Sequence, residues 1–283
     1  LNRRQALAHA RRTLAENNIE DASLEGEILL RHVLGLSRAR LYSDLDYDIS
    51  IVQEKALNGL VERRLKGEPS AYITGHREFF GLDFKVDSSV LIPRPETELL
   101  VEKAIHLTRS HAISRIADIG TGCGAIAVSL AVNLPRVTVY ATDVSATALE
   151  VARTNCDIHG VTDRIVLLEG DMMEPLTESV DLLIANLPYV RESELSPNGP
   201  LSYEPALALN GGEDGLDMIR VLCRQANTKL RSGGFILLEI GQNQAEAVAA
   251  LLQETFPRAR IEVECDLAGI QRAVSLRLTL SRI

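Results

Sequence analysis

The tetrad Asn186-Leu187-Pro188-Tyr189 follows directly on the apolar run Val180-Asp181-Leu182-Leu183-Ile184-Ala185. An Asn, a rigid turn and an aromatic ring at the end of a buried strand place a side-chain carbonyl, fixed backbone carbonyls and a flat apolar wall in one short loop. Such groups can hold a planar –NH2 by both hydrogens while its nitrogen faces a second reactant. Upstream, Asp118-Ile119-Gly120-Thr121-Gly122-Cys123-Gly124 lies between a predicted strand and a predicted helix. Glycines there permit a tight turn and close backbone approach to a ligand at the helix N-terminus. The loop suits a nucleotide-like cofactor. Nicotinamide-dependent enzymes use a similar loop, and a purely structural turn fits it too.

Two further positions end successive predicted strands. The Asp143 carboxylate can accept two hydrogen bonds from ribose hydroxyls, cap the helix starting near Ser145, or do both. Gly170-Asp171 suits the amino group of an adenine, while Met172 either lies against the base or belongs to the core. Ligand-facing residues at consecutive strand ends fit the rule that open α/β sheets bind at the carboxyl ends of their strands. A dehydrogenase explains the glycine loop and Asp143 but leaves the tetrad without a purpose. Tetrad and loop together predict an amino-group methyltransferase.

The elements that must position these residues are visible as periodicity. Candidate strands run over Arg115–Gly120, Val137–Asp143, Ile165–Asp171, Asp181–Asn186, Gly234–Ile240, Arg260–Cys265 and Ala273–Leu280, with helices at about 125–133, 145–159, 214–231 and 242–255. This alternation predicts a mostly parallel sheet covered on both faces. The link Asp266–Arg272 is too short for a crossover helix, so the last two strands must pair antiparallel. A Rossmann-like seven-stranded α/β sheet with a reversed final hairpin is the class I methyltransferase layout.

Ahead of it, residues 1–71 read as a small helical bundle. Leu7, Ala10 and Leu14, and then Leu24, Ile28, Leu29, Val33 and Leu34, recur at helical spacing. Asp21 and Ser23 are candidate caps, Gly35 a candidate stop, and a third helix runs from Ile51 to Leu65. The bundle is either a stabilising appendage or a module for recognising a partner. Residues 72–92, with Phe79-Phe80-Gly81-Leu82-Asp83-Phe84, read as a β-hairpin linking it to a catalytic domain over 93–283. Pro93-Arg94-Pro95-Glu96-Thr97-Glu98 then opens a helix, with Pro in its first turn and two Glu near its positive end.

Composition narrows the class. Of the 283 residues 46% are hydrophobic and 24% charged, as in a folded globular protein. No run approaches the roughly 18 apolar residues of a membrane span, and the first residues lack the apolar stretch of a signal peptide. The expected location is the cytoplasm. Residues 1–70 hold 11 Lys/Arg and 11 Asp/Glu, so the net charge of −9 falls entirely on the remainder. An acidic catalytic part argues against a nucleic-acid substrate, whose phosphates call for a basic face. Cys123, Cys156, Cys223 and Cys265 are scattered, which predicts buried reduced thiols, with neither a metal site nor a disulfide.

The longer motifs carry a resemblance. They are Phe79–Phe84, Leu91-Ile92-Pro93-Arg94-Pro95-Glu96-Thr97-Glu98, Asp118–Gly124, Tyr203-Glu204-Pro205 leading to Gly211-Gly212-Glu213-Asp214-Gly215-Leu216-Asp217, Leu237-Leu238-Glu239-Ile240-Gly241, and Asp266-Leu267-Ala268-Gly269. Across essentially its whole length the chain resembles the HemK/PrmC family, protein-(glutamine-N5) methyltransferases that modify peptide chain release factors. The resemblance implies S-adenosylmethionine as cofactor, held by Gly120, Thr121, Gly122, Cys123, Gly124, Asp143, Asp171, Met172 and Asn186. It implies that Asn186, Leu187, Pro188 and Tyr189 are catalytic and grip the substrate glutamine of a Gly-Gly-Gln motif. The expected partner is a release factor, the expected state a monomer, and no metal is required. Arg94 and Glu96 line the site entrance or form an ion pair with the hairpin; Glu204 binds substrate backbone or stabilises a turn.

One departure stands out. The family usually carries Asn-Pro-Pro-Tyr, and Leu187 replaces the first Pro. Asn-Leu-Pro-Tyr also looks like the motif of ribosomal RNA adenine dimethyltransferases. Leu retains the backbone carbonyl but not the fixed φ of Pro, while Pro188 still restrains it toward extended geometry. Alternatives to the release factor are a ribosomal-protein glutamine, an adenine N6 of nucleic acid, and a binding module without activity.

Overall fold

The computed structural model describes residues 1–197, 199 and 201–279. They form two compact units, Leu1–His76 and a larger one from Arg77 onward. The boundary divides the segment 72–92 that was expected to act as a linker.

The first unit contains α1 (Arg3–Glu16), α2 (Ala22–Leu34), α3 (Arg38–Ser43), α4 (Ile51–Leu65) and α5 (Ser70–Thr74). Asn2 with Gln5, and Ser50 with Gln53, open α1 and α4 as reciprocal capping boxes. Ala6, Leu7, Ala10 and Leu14 pack with Leu29, Leu30, Leu57 and Val61. The stripe on α2 is rotated from expectation, with Leu24 exposed and Leu30 buried. Gly26 explains this, because α1 approaches so closely that a Cβ there would lie 3.1 Å from Arg11. Glu27 is drawn inward and held by Arg38 at 3.0 Å and the Tyr42 hydroxyl at 2.8 Å. Asp21 occupies the cap position of α2 at φ +51 without a side-chain bond, whereas Gly35 ends it at φ +62. The six- and five-residue helices α3 and α5 are too short to show periodicity.

A hairpin whose first residue is the last of the first unit follows, β1 (His76–Phe79) and β2 (Leu82–Lys85), turned by Phe80 and Gly81 at φ +51 and +71. Two positive φ values match the twist of a two-residue turn. A single 3-10 turn (Pro95–Thr97) leads into α6 (Glu98–Ser110), later than the expected helix start. There follow β3 (Arg115–Ile119), α7 (Ala125–Asn133), β4 (Thr138–Asp143), α8 (Ala146–Ile158), β5 (Ile165–Glu169), β6 (Val180–Ala185), α9 (Asp217–Lys229), β7 (Leu230–Glu239), α10 (Ala245–Thr255), β8 (Arg260–Cys265) and β9 (Gln271–Arg277). The hairpin is docked on α8: the Asn155 side chain accepts from the Lys85 N–H at 2.8 Å and donates to the Lys85 and Cys123 carbonyls.

The seven strands lie in the order β5-β4-β3-β6-β7-β9-β8. β3 to β7 are parallel, and β9 inserts antiparallel between β7 and β8. Chain order reverses between β3 and β6, so their carboxyl ends open the crevice where such sheets bind ligands. Gly120, Asp171 and Asn186 fall just beyond their strands rather than within them, and Leu280 of the last predicted strand lies outside the described residues. Cys123, Cys156 and Cys223 are buried free thiols, but Cys265 is exposed on the edge strand β8. Among the described residues no helix is long and apolar enough to cross a membrane, and no cluster of His, Cys, Asp and Glu could hold a metal ion.

Candidate active site

The glycine loop turns immediately after β3. Gly120, Gly122 and Gly124 stand at φ +71, +55 and +82, a region that any side chain strains. The Gly120 and Thr121 N–H groups donate to the Thr142 carbonyl at 2.9 Å, tying the loop to the end of β4. Gly124 caps α7, and a Cβ on it would press on Ala152 of α8 at 3.3 Å. Beneath the loop Asp118 is fully buried, accepting from the Thr121 hydroxyl at 2.6 Å and the Ala127 N–H at 3.1 Å. Its Oδ1 has no hydrogen-bond partner among the described residues. Burial pushes the Asp118 carboxyl up to about 7 despite these bonds.

A cavity of about 410 Å³ opens at the strand ends, lined by Gly120, Gly122, Asp143, Asp171, Met172, Asn186, Leu187 and Pro188. The sequence therefore brought most of its candidates to one place. Thr121, Cys123 and Gly124 do not line it. Thr121 secures Asp118, and Cys123 is a buried thiol pushed up to about 12 by desolvation. Asp143 already accepts from the Gly122 N–H on Oδ2 and the Ser145 N–H on Oδ1, both at 2.9 Å. It braces the loop before α8, whereas the helix cap itself is the Ser145 hydroxyl, which accepts from the Ala148 N–H. Met172, at φ +49, lines the cavity and also packs against the hydrophobic core behind it, so it serves both of the roles open to it. Val90 and Leu91, ahead of the Pro-Arg-Pro turn, and Leu207 and Met218 complete the apolar wall.

The tetrad leaves β6 with its side chains divided. Leu187 is buried against Gly120, whose Cβ would lie 3.4 Å from its Cδ2. The Asn186 Nδ2 donates to the Thr97 Oγ1 at 3.0 Å, and the Thr97 hydroxyl donates to the Glu239 Oε2 at 2.6 Å. Tyr189 does not line the cavity; its hydroxyl donates to the other Glu239 oxygen at 3.1 Å. Burial beside that carboxylate drives the Tyr189 phenol upward from its ordinary range. Thr97 and Glu239 were not singled out in the sequence. Their only signal was membership of two long motifs, with nothing to connect residues 142 positions apart.

Arg94 and Glu204, candidates from separate motifs, meet in the fold. Arg94 pairs with the buried Glu204 rather than with the hairpin, and Glu204 also accepts from the Ile92 N–H at 3.1 Å. This ties the loop after the tetrad to the segment entering α6, so the Glu204 carboxylate is engaged within the fold. Glu98, not Arg94 or Glu96, holds the hairpin by accepting from the Phe80 N–H at 2.8 Å. Of Gly211 and Gly212 only the second stands at positive φ, +88. Gly211 serves a steric purpose, since its Cβ would lie 2.7 Å from the Pro188 carbonyl and 2.8 Å from the Tyr189 Cα. A Cβ at Gly215 would likewise collide with the Tyr189 carbonyl.

The cavity suits a nucleoside-bearing cofactor: its volume is that of a small-molecule site, its walls are mostly apolar, and its carboxylates stand at separate strand ends. A family model described as the PrmC N-terminal domain matches residues 5–75, and one described as the methyltransferase small domain matches 95–198. The release factor glutamine methyltransferase of Moorella thermoacetica is 43% identical over 95% of this chain and 96% of that protein. That of Bordetella pertussis is 44% identical over 88% and 92%. A methyltransferase from Pyrococcus furiosus shares the fold at a TM-score of 0.51 and 18% identity, over 71% of this chain and 91% of that one. With a full-length relation above 40% and the tetrad placed at the cofactor-sized cavity, the chain belongs to the release factor glutamine methyltransferase family.

Proposed function

We propose that this protein transfers a methyl group from S-adenosylmethionine to the side-chain amide nitrogen of the glutamine in the Gly-Gly-Gln motif of peptide chain release factors. The observation that carries the reading is the relation to release factor glutamine methyltransferases over both units, helical part included. In this reading Gly120, Gly122, Asp143, Asp171 and Met172 hold the cofactor, which when bound supplies an electrophilic methyl on a sulfonium. A carboxamide nitrogen is a poor nucleophile because its lone pair is delocalised, so the protein must position it. The Asn186 Oδ1 and the Leu187 carbonyl accept its two hydrogens, aiming the lone pair at the methyl. Both bonds strengthen as the nitrogen gains positive charge, which favours the transition state. The proton leaves after transfer, when the nitrogen is strongly acidic, and no strong base is needed.

Residues 1–71 serve in this reading to recognise the body of the release factor, because a glutamine on a loop offers little area for discrimination. The protein acts in the cytoplasm, and the acidity of residues 71–283 fits a substrate other than nucleic acid. Incubating the purified protein with labelled cofactor and either release factor or ribosomal RNA, followed by mass spectrometry, tests the assignment. A 14 Da gain on the Gly-Gly-Gln peptide is expected; label confined to RNA would overturn it.

A further inference from the structure

An amide side chain is symmetric in shape, so only its hydrogen-bond partners decide whether oxygen or nitrogen faces a ligand. At Asn186 that decision matters: Oδ1 toward the substrate accepts an amide hydrogen, whereas Nδ2 would oppose it donor to donor. The partner of Asn186 is the Thr97 hydroxyl, which has a single proton. Thr97 is in turn 2.6 Å from Glu239, and both are almost wholly buried. An ionised carboxylate only accepts. The Thr97 proton must then point to Glu239, its lone pair must face Asn186, and Asn186 must present Nδ2 to it. A protonated Glu239 removes that constraint: it can donate to Thr97, Thr97 can donate to the Asn186 oxygen, and the amide can turn over.

We propose that Thr97 and Glu239 are positioning residues for methyl transfer, a relay in which the Glu239 carboxylate fixes the polarity of the Asn186 amide toward the substrate. The proposal rests on the glutamine-amide reading above. Its parts come from the turn before α6, the end of β7 and the end of β6, so only the folded sheet assembles it. Tyr189 anchors the second Glu239 oxygen, which ties the carboxylate to the tetrad twice. The charged groups facing Glu239 are Glu96, which disfavours its ionisation, and Arg272, which favours it and is itself paired with Asp266 at 3.2 Å. Burial is the largest influence and raises the Glu239 carboxyl above its ordinary range, against the hydrogen bonds from Thr97 and Tyr189. The amide is held in its working orientation while Glu239 is ionised and is released when the carboxylate takes up a proton, and burial favours that uptake.

The test uses the full chain with intact release factor at saturating cofactor. Thr97→Val is expected to lower kcat by about 10–100-fold while cofactor Kd and substrate KM stay within about threefold; Thr97→Ser restores most of the rate. In Glu239→Gln the fall of kcat on acidification disappears, because an amide has no proton to gain. Independently of any substrate, NMR of protein labelled at the Asn side chains is expected to show an Asn186 amide proton shifted by its bond to Thr97. That shift is lost in Thr97→Val, kept in Thr97→Ser, and titrates with pH only while Glu239 is present. A folded Thr97→Val enzyme with full kcat overturns the relay, as does an unchanged Asn186 amide signal in that variant. Absence of methylation by the unmodified protein would instead count against the substrate reading, with the NMR result still deciding the relay.

Discussion

Gly211 tests how tightly the tetrad backbone is held. A methyl group added there would meet the Pro188 carbonyl at 2.7 Å, the Tyr189 Cα at 2.8 Å and the Gly215 Cα at 2.9 Å, all backbone atoms with no flexible end to yield. Ordinary contact begins near 3.4 Å, so the tetrad or the loop opposite must retreat by roughly 0.5–0.7 Å. Overpacking of this kind costs about 1–3 kcal/mol of stability. Reacting groups tolerate about 0.5 Å of misplacement, and 1 Å costs about a hundredfold in rate. Gly211→Ala is therefore expected to lower the single-turnover rate by about 10–100-fold, or about 1.4–2.7 kcal/mol in the barrier. Cofactor affinity should hold, because Gly211 does not line the cavity. Single-turnover transfer of labelled methyl, calorimetry with S-adenosylmethionine and thermal denaturation would be measured on one preparation. A folded Gly211→Ala protein reacting at the full rate would refute the claim that this contact sets the tetrad.

Three other outcomes are expected. Asn186→Ala leaves a substrate N–H unpaired at a cost of about 1–3 kcal/mol and loses the orientation as well, so transfer should slow by at least roughly a hundredfold with cofactor binding intact; near-normal single-turnover kinetics would exclude the mechanism. Asp143→Ala should weaken S-adenosylmethionine by about 1–3 kcal/mol in calorimetry, and it also orphans the Gly122 and Ser145 N–H groups; unchanged affinity would remove Asp143 from the site. Asp118 is raised from 3.8 to about 7, so in that window the folded protein keeps a proton that the unfolded chain has released. Its contribution to stability is present below pH 4 and is lost as pH rises to about 7, on the order of 4 kcal/mol. Urea unfolding of the cofactor-free protein should show this decline, Asp118→Asn should flatten it, and equal slopes in the two proteins would contradict the assignment.

The sheet, the glycine loop and the tetrad could be read from the sequence because each rests on local physics. Apolar runs alternate with helical spacing, glycines occur where φ must be positive, and the short Asp266–Arg272 link forces an antiparallel pair. Asp143, Asp171 and Asn186 were identifiable as ends of strands, and a parallel sheet brings strand ends together without further information. Pairings between distant segments were not legible. Arg94 had several carboxylates within reach along the chain, and only packing selects Glu204, 110 residues away. Gly211 resembled a turn glycine, whereas its lack of a side chain is required by a backbone from another segment. Thr97 and Glu239 carried no chemical signal of their own. Their meaning arises where burial excludes water, leaves each polar group one partner, and makes the direction of every hydrogen bond depend on the next.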